Sequence, residues 1–431
     1  MAPMSFYPKN DRLPVVWPAY AIGFFGLFLI KSALMSVILY RYDPGPNAVQ
    51  LPILVSAAVV GIVAFISRIV GAILQPVAGY CSDRTQGVWG KRRPFLAGST
   101  LPMAISFVLL FKPVITPETT GNSLYLLALL CVFHLAFSLY QVPYLAWLPE
   151  LATQNQQRVM LAKWLAITSL LGTAAGGAGA PWLIEQYDFG GMTAIVALVS
   201  VVTLLLPLMA PEHVAPMSHP PALLVSLQKS WQNVAFRPYV LSVSAAWIAT
   251  TILGICPPFF AIALLRQNIG FSAWLNLLVL AGAAAGMIGI KPLVKRFGKR
   301  KVLQISMVWS GVGLLLLTLA SWWIGDSVAL WMVLLPVGSV GLAGFFVLPN
   351  AMMPDVVEYD LDLGKSAQAV YFGSRGLFVE VSVGLGALIV GLLLSLGRTV
   401  DQPLGVQLSL AAAGVFSLVS AGLLSAYPMD K

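Results

Sequence analysis

The stretch GYCSDRTQGVWGKRRPF at residues 79–95 lies between two long apolar runs and recurs in a shorter form about half a chain later. The second copy is KRFGKRK at 295–301, and its GKRK aligns with the GKRR of the first copy at an offset of 208 residues. A second pair of landmarks, Glu150 and Asp355, each directly after a proline, has an offset of 205. Two landmarks at nearly the same offset predict a duplicated membrane bundle, which is an architecture of secondary transporters.

The composition is that of a membrane protein. Hydrophobic residues make up 58% of the 431 residues and charged residues 10%, with a mean hydropathy of +0.86, which excludes a soluble globular domain. A helix needs about 20 apolar residues to cross a bilayer, and unpaired backbone cannot face lipid. We therefore predict an all-α membrane protein with twelve transmembrane helices in two parallel six-helix repeats. The predicted spans are 14–40, 52–80, 94–113, 122–148, 159–184, 191–210, 238–264, 271–294, 302–325, 328–353, 366–397 and 403–427.

Charge placement predicts how the chain crosses the membrane. Two halves, 1–210 and 238–431, are joined by a proline-containing cytoplasmic linker at 211–237. Of the 25 lysines and arginines, 18 fall at the termini and in even-numbered loops and four in odd-numbered loops, so both termini should be cytoplasmic. We expect a monomer in the plasma (inner) membrane, and the net charge of +9 reflects this topology and not nucleic-acid binding. The spacing of cysteines, histidines and acids predicts no metal, no cofactor and no enzymatic activity.

Small residues cluster on the second and fifth helix of each half. Helix 5 carries GTAAGGAGA at 172–180, helix 8 carries AGAAAGMIG at 281–289, and helices 2 and 11 carry spaced glycines. Small residues let membrane helices approach closely. Their repetition at equivalent positions predicts an interface along which the two halves slide against each other.

Three motifs resemble those of one family. SDRTQGVWGKRRPF at 82–95, VPYLAWLPEL at 142–151 and PDVVEYD at 354–360 are similar to the glycoside–pentoside–hexuronide:cation symporters, the melibiose-permease branch of the major facilitator superfamily. The resemblance implies the major facilitator fold and transport of a small organic solute by alternating access. Charge pairs in these loops would latch one conformational state, although anchoring by basic residues alone also explains the cations. The predicted cytoplasmic gate residues are Asp83, Arg84, Lys91, Arg92, Arg93, Glu150, Asp355 and Glu358.

The acids that the resemblance implies for a sodium site are missing. Where the family has Arg-x-x-Asp-x-x-x-Asp-Pro in helix 2, this chain has Arg68, Gly71 and Gln75 in place of the arginine and the two acids. Phe28 and Gln141 replace further acids in helices 1 and 4. A hard cation needs several oxygen ligands, carboxylates among them. We therefore expect coupling to an ion other than sodium, with the proton as the candidate.

Other polar residues lie inside the spans. Lys31 in helix 1 and Glu380 in helix 11 are expected to pair, with Glu380 as a candidate proton carrier, because an isolated charge in the bilayer centre costs at least about 2.5–3.5 kcal/mol. Snorkelling of Lys31 to the interface, and interhelical hydrogen bonding by the histidine and glutamines, are alternatives. The predicted substrate and coupling residues are Lys31, Arg68, Gln75, His134, Gln141, Arg375 and Glu380.

These residues favour a secondary transporter for a sugar, glycoside or sugar acid. Three cations and one acid in the spans give a net charge of +2, which favours an anionic solute. A lysolipid transporter and a non-transporting membrane scaffold or sensor that retains the fold are the alternatives. The partners predicted are therefore the small-molecule substrate, a co-transported proton and the lipid bilayer.

The topology can be tested with reporter fusions after residues 215 and 431. We expect both fusions to report a cytoplasmic location, because the basic loops lie on that side. An external location of the reporter at 215 would contradict the duplicated six-helix arrangement.

Overall fold

Helices make up nearly all of the chain that the structure describes. The computed structural model describes residues 13–44, 51–85, 89–113, 120–151, 155–210, 212, 228, 230–323, 327–358 and 367–428. Ten of its helices are long and apolar enough to cross a membrane. Two of these contain 51 and 53 residues, more than twice the length that a single crossing needs. The backbone of the first is non-helical at Asp188 (φ 57°) and that of the second at Gly298 (φ 78°), so each comprises two spans.

The structure thereby confirms the twelve predicted helices. In the first half they are α1 Leu13–Tyr42, α2 Ala57–Arg84, α3 Arg93–Leu110 and α4 Thr120–Leu151, with α5 (155–187) and α6 (189–205) as the two limbs of Asn155–Leu205. In the second half they are α7 Phe236–Ile255, α8 (271–297) and α9 (299–323) as the limbs of Phe271–Trp323, α10 as the pair Val328–Ser339 and Leu342–Glu358, α11 Ala367–Leu394 and α12 Leu404–Leu423. Short segments, Pro257–Phe259 and a π-turn at Phe260–Leu264, extend α7. The predicted linker at 211–237 lies largely outside the described residues.

The two halves meet through equivalent helices. The second helix of the first half, α2, packs on the fifth helix of the second half, α11, and the reciprocal pair is α5 with α8. This exchange of partners is what a parallel duplication produces. We call the end of the bundle that carries residues 79–95 and 295–301 the basic end, and the opposite end the outer end.

Glycines bring α2 and α11 into close contact, as predicted. A Cβ atom at Gly61 would lie 2.9 Å from the Ala387 carbonyl oxygen and 3.2 Å from the Cα atom of Gly391. The glycines of α5 and α8 have a different role from the one predicted. Gly176 backs onto α1, where a Cβ would lie 2.8 Å from the amide nitrogen of Ala33. Gly282, Gly286 and Gly172 likewise face backbone of their own half, so the small-residue clusters of α5 and α8 mainly tighten packing within the halves.

Polar contacts join the halves at the outer end. Asp43, which follows α1 and is fully buried, accepts a hydrogen bond from Arg398 Nε in the α11–α12 turn at 2.9 Å. Its other oxygen accepts from the amide nitrogen of Ala57 at the start of α2. Glu185 of α5 is hydrogen-bonded to Asn268, which precedes α8. The bundle is therefore closed at its outer end, and these contacts would have to break for it to open there.

Removing Arg398 should open the outer end. Arg398→Met leaves the buried Asp43 carboxylate without its charged partner, which costs about 3–5 kcal/mol in the closed arrangement only. Spin labels at Lys112→Cys in the first half and Gln267→Cys in the second, in protein without native cysteines, should report longer distances by double electron–electron resonance. Lys163→Met, which removes an exposed cation elsewhere, is the control. An unchanged distance distribution would contradict the role of the ion pair as an outer latch.

Candidate functional site

A central cavity of about 220 Å³ lies between the two halves. It is lined by α1 and α5 from the first half and by α7, α8, α10 and α11 from the second. Its polar side chains are Lys31, Ser32, Thr173, Thr250, Thr251 and Asn276, and its aromatic side chains are Phe28, Trp247 and Phe346. This combination of aromatic faces with hydroxyl and amide groups suits a small polar solute.

Asn276 closes the cavity towards α5. Its side-chain amide donates to the Gly177 carbonyl oxygen across the α5–α8 contact at 2.9 Å, and to the Ser272 carbonyl oxygen at 3.1 Å. Gly177 also lines the cavity. A residue that lines the cavity therefore contributes directly to the contact between the halves.

Lys31 is the one charged side chain among the described residues that line this cavity. It is half-buried, and its Nζ lies over the ring of Phe137 at 4.9 Å and of Phe28 at 5.8 Å. Packing of Gly176 against α1 holds this part of α1 close to α5. A lysine that faces aromatic rings inside the bundle does not snorkel to the interface, so Lys31 stays in the central cavity.

The expected pairing of Lys31 with Glu380 is wrong. The Glu380 carboxylate instead accepts a hydrogen bond from Arg68 Nη1 at 3.0 Å, and the two side chains are 7% and 13% exposed. Arg68 belongs to α2 and Glu380 to α11, so this ion pair also crosses between the halves. The physical reason is the tight α2–α11 packing, in which a Cβ at Gly384 would lie 3.2 Å from the Arg68 Cβ atom. Lys31 is still close enough for its charge to interact with Glu380.

Of the predicted polar residues of α2 and α4, His134 lies beside Arg68 of this ion pair. His134 is 6% exposed, packs against Gly71 and lines a second cavity of about 40 Å³ together with Arg68. Neither ring nitrogen of His134 has a hydrogen-bond partner in the described part of the chain. Gln75 faces Gly376 of α11, and Gln141 is half-buried on α4. The structure thus brings Arg68, His134 and Glu380 together, while the glutamines make no hydrogen bond among the described residues.

Arg375 lies apart from the cavity, towards the basic end. Its Nη1 donates to the side-chain oxygen of Asn350 on α10 at 2.8 Å. Both residues belong to the second half. Its contact in this structure is therefore a connection between α10 and α11.

The predicted gate residues make their described contacts within their own half. Arg92 donates to Ser82 at 2.7 Å, and Arg93 donates to the Ala210 carbonyl oxygen at 2.6 Å. Lys299 binds Asp355 at 2.7 Å in the second half. Arg84 lies over the Tyr80 ring at 4.2 Å, and Glu358 is exposed. The side chains of Asp83 and Glu150 lie outside the described residues.

The acid that meets the first basic loop is one that the sequence did not single out. Glu212 accepts hydrogen bonds from the backbone amides of Lys91 and Arg92 at 2.6 and 2.7 Å. These amides begin α3, where the helix dipole favours an anion. Gly90, with φ 92°, allows this approach, because a Cβ there would lie 2.5 Å from the Glu212 carboxyl carbon. A GKRR turn that opens a helix was the available signal for an anion partner.

Known proteins resemble this chain over most of its length. The chain matches the MFS/sugar transport protein family over residues 20–431. It is 24% identical to the glucuronide carrier protein homolog of Escherichia coli (strain K12), over 88% of this chain and 86% of that protein. It is 26% identical to the isoprimeverose transporter of Lactiplantibacillus pentosus, over 80% of this chain and 73% of that protein. The D-xylose–proton symporter superimposes on 96% of the chain with a TM-score of 0.68 at 13% identity, a likeness of fold alone.

A double-mutant cycle can test the central ion pair. Arg68→Met and Glu380→Gln should each destabilise the protein by about 3–5 kcal/mol because each strands a buried charge, and the double change should cost much less than the sum. Denaturation in detergent micelles measures these values. Lys299→Met with Asp355→Asn is the matched control, since that pair is about one-third exposed and should contribute at most about 1 kcal/mol. Additive effects at Arg68 and Glu380 would show that the two residues do not pair.

Proposed function

Because the chain belongs to the MFS/sugar transport protein family, we propose that it carries a sugar acid across the membrane by alternating access. The protein is a multi-pass membrane transporter of a small molecule, and its membership confirms the predicted family of symporters. The observation that carries the sugar-acid proposal is the position of Lys31. This cation lies half-buried in the central cavity, and Glu380, the acid with which it was expected to pair, is bound to Arg68.

The charge of the site favours an anionic solute. Lys31, Arg68 and Glu380 together carry a net charge of +1, which one carboxylate would neutralise. The cation–π contacts of Lys31 contribute about 0.5–2 kcal/mol and its charge interaction with Glu380 is shared with Arg68, whereas an isolated charge at the bilayer centre costs about 2.5–3.5 kcal/mol or more. A carboxylate that bound Lys31 would therefore relieve an existing cost. The glucuronide carrier homolog among the relatives supports a solute of this chemistry.

The size and the remaining lining favour one sugar ring. A cavity of about 220 Å³ lies below the roughly 300–1,000 Å³ of sites for drug-sized ligands. Ser32, Thr173 and Asn276 offer hydrogen bonds to hydroxyl groups, and Trp247 offers an aromatic face. A lysolipid, with its long acyl chain, fits this volume less well than a monosaccharide acid does.

Proton coupling through Glu380 completes the proposal. Gly71, Gln75, Phe28 and Gln141 stand where the resembling family carries acids, so sodium would lack its carboxylate ligands. A proton, in contrast, needs only one carboxylate to bind it. Protonation of Glu380 would remove the charge that binds Arg68, and would thereby loosen α2 from α11 at the middle of the membrane. A proton that arrives with the solute would thus favour rearrangement of the halves.

Uptake by proteoliposomes tests this function. Labelled glucuronate should accumulate under an inward proton gradient with choline in place of sodium. Lys31→Met should raise the glucuronate concentration needed for half-maximal uptake about 10–100-fold, which is the contribution of one charge-assisted hydrogen bond. The same change should affect the uptake of methyl glucoside much less. Lys163→Met, an exposed cation, is the control. Loss of uptake in choline, or equal losses for the acid and the neutral sugar, would contradict the proposal, and absence of any uptake would favour a non-transporting role.

A further inference from the structure

The second basic loop exposes a row of cations at one helix end. In the segment 291–301, which contains this loop, four basic residues are solvent-exposed and the other two are partly buried. The exposed four are Lys291, Lys295, Arg296 and Lys301. In the described part of the chain none of the four contacts an acid. This cluster of positive charge is therefore available to an external anion.

The first basic loop provides an internal comparison. There, Lys91 and Arg92 are only 9% and 6% exposed, and Arg92 binds Ser82. The residues that align with the additional cations of the second loop are Asp83, Gly87 and Val88, in place of Lys291, Lys295 and Arg296. The shared GKR motif is thus used for internal contacts, whereas the additional cations of the second copy are not needed for the duplicated fold.

Exposed apolar side chains lie among these cations. Ile288 is 83% exposed, Leu293 is 41% exposed and Phe297 is 40% exposed. Lys291 and Lys295 are one helical turn apart and repel each other, a cost that an anion between them would reverse. Apolar side chains next to cations at the end of a membrane helix match the boundary between acyl chains and charged headgroups.

We propose that residues 288–301 bind the headgroup of an anionic phospholipid in the leaflet at the basic end. The lipid phosphate would bridge Lys291 and Lys295, with Arg296 beside it, and the acyl chains would cover Ile288, which lies on the same helix face as the two lysines. The bound lipid would hold α8 at the membrane surface. This role is independent of the transported solute.

Titration with phosphatidylglycerol tests the proposal. The lipid is added to purified protein in a non-ionic detergent, with phosphatidylcholine as the reference, and the melting temperature is followed. Phosphatidylglycerol should raise the melting temperature of the wild type more than phosphatidylcholine does. The variant K291Q/K295Q/R296Q should need about a hundredfold more lipid for the same rise, since each cation near an anionic surface contributes about a fivefold change in affinity.

Two comparisons make the test specific. The variant K112Q/K163Q removes exposed positive charges elsewhere, is the matched control for the double variant K291Q/K295Q, and should respond as the wild type does. Should K291Q/K295Q/R296Q not fold, the double variant K291Q/K295Q replaces it, with a loss of about 25-fold. An equal response of the wild type and the triple variant would overturn the proposal. An equal loss in the control variant, or an equal effect of inorganic phosphate, would also overturn it.

Discussion

Close contact between α2 and α11 determines the rest of the site. Glycines at positions 61, 384 and 391 remove the side chains that would otherwise separate the two backbones. At this separation Arg68 reaches Glu380 at 3.0 Å. Short distance matters because a buried ion pair offsets the loss of hydration only when its geometry is good. The packing of small residues thus decides the electrostatics of the membrane centre, and it does so between two halves that move in the transport cycle that we propose.

Because Glu380 forms its ion pair with Arg68, the Lys31 side chain remains in the central cavity. Had the expected Lys31–Glu380 pair formed, the cavity would have lost its one charged side chain among the described residues. Instead the lysine lies against Phe137 and Phe28, rings that tolerate an ammonium group without neutralising it. In the function that we propose, solute recognition and ion coupling therefore fall to different side chains. They remain linked, because Lys31 and Glu380 still interact through their charges.

The sequence was sufficient to predict the helices but not how each helix is rotated about its own axis. Apolar runs and the need to satisfy every backbone group predicted the twelve spans, and even the two fused helices change direction where the sequence placed loops. The depth of Lys31 and Glu380 was readable from the same runs. Which residue faces which neighbour depends on helix rotation and on interhelical distance, and neither follows from hydropathy. The pair Lys31–Glu380 was wrong for that reason.

Long-range partners in the loops were beyond prediction for a related reason. Asp43 and Arg398 are 355 residues apart, and Glu212 lies in a segment that the sequence marks only as a linker. Each residue looks ordinary alone, since an acid or a base next to the membrane is well solvated. Only the closed bundle shows that Asp43 is fully buried and that Glu212 caps α3. Single-sequence reasoning locates charges along the chain and in depth, but not their contacts across the fold.

The two ion pairs that join the halves differ in the surroundings of the carboxylate after it separates from its arginine. Asp43 is also bound to the amide of Ala57 at the start of α2, so on separation from Arg398 its charge stays at a helix N-terminus, which stabilises it. Glu380 has Arg68 as its hydrogen-bond partner among the described residues, so separation from Arg68 would leave a buried carboxylate without a hydrogen bond in the described part of the chain. The outer contact can therefore open without a change of charge, whereas the central contact favours neutralisation first. Protonation of Glu380 meets that requirement, and this difference is the physical reason to connect proton binding to the central pair and not to the outer latch.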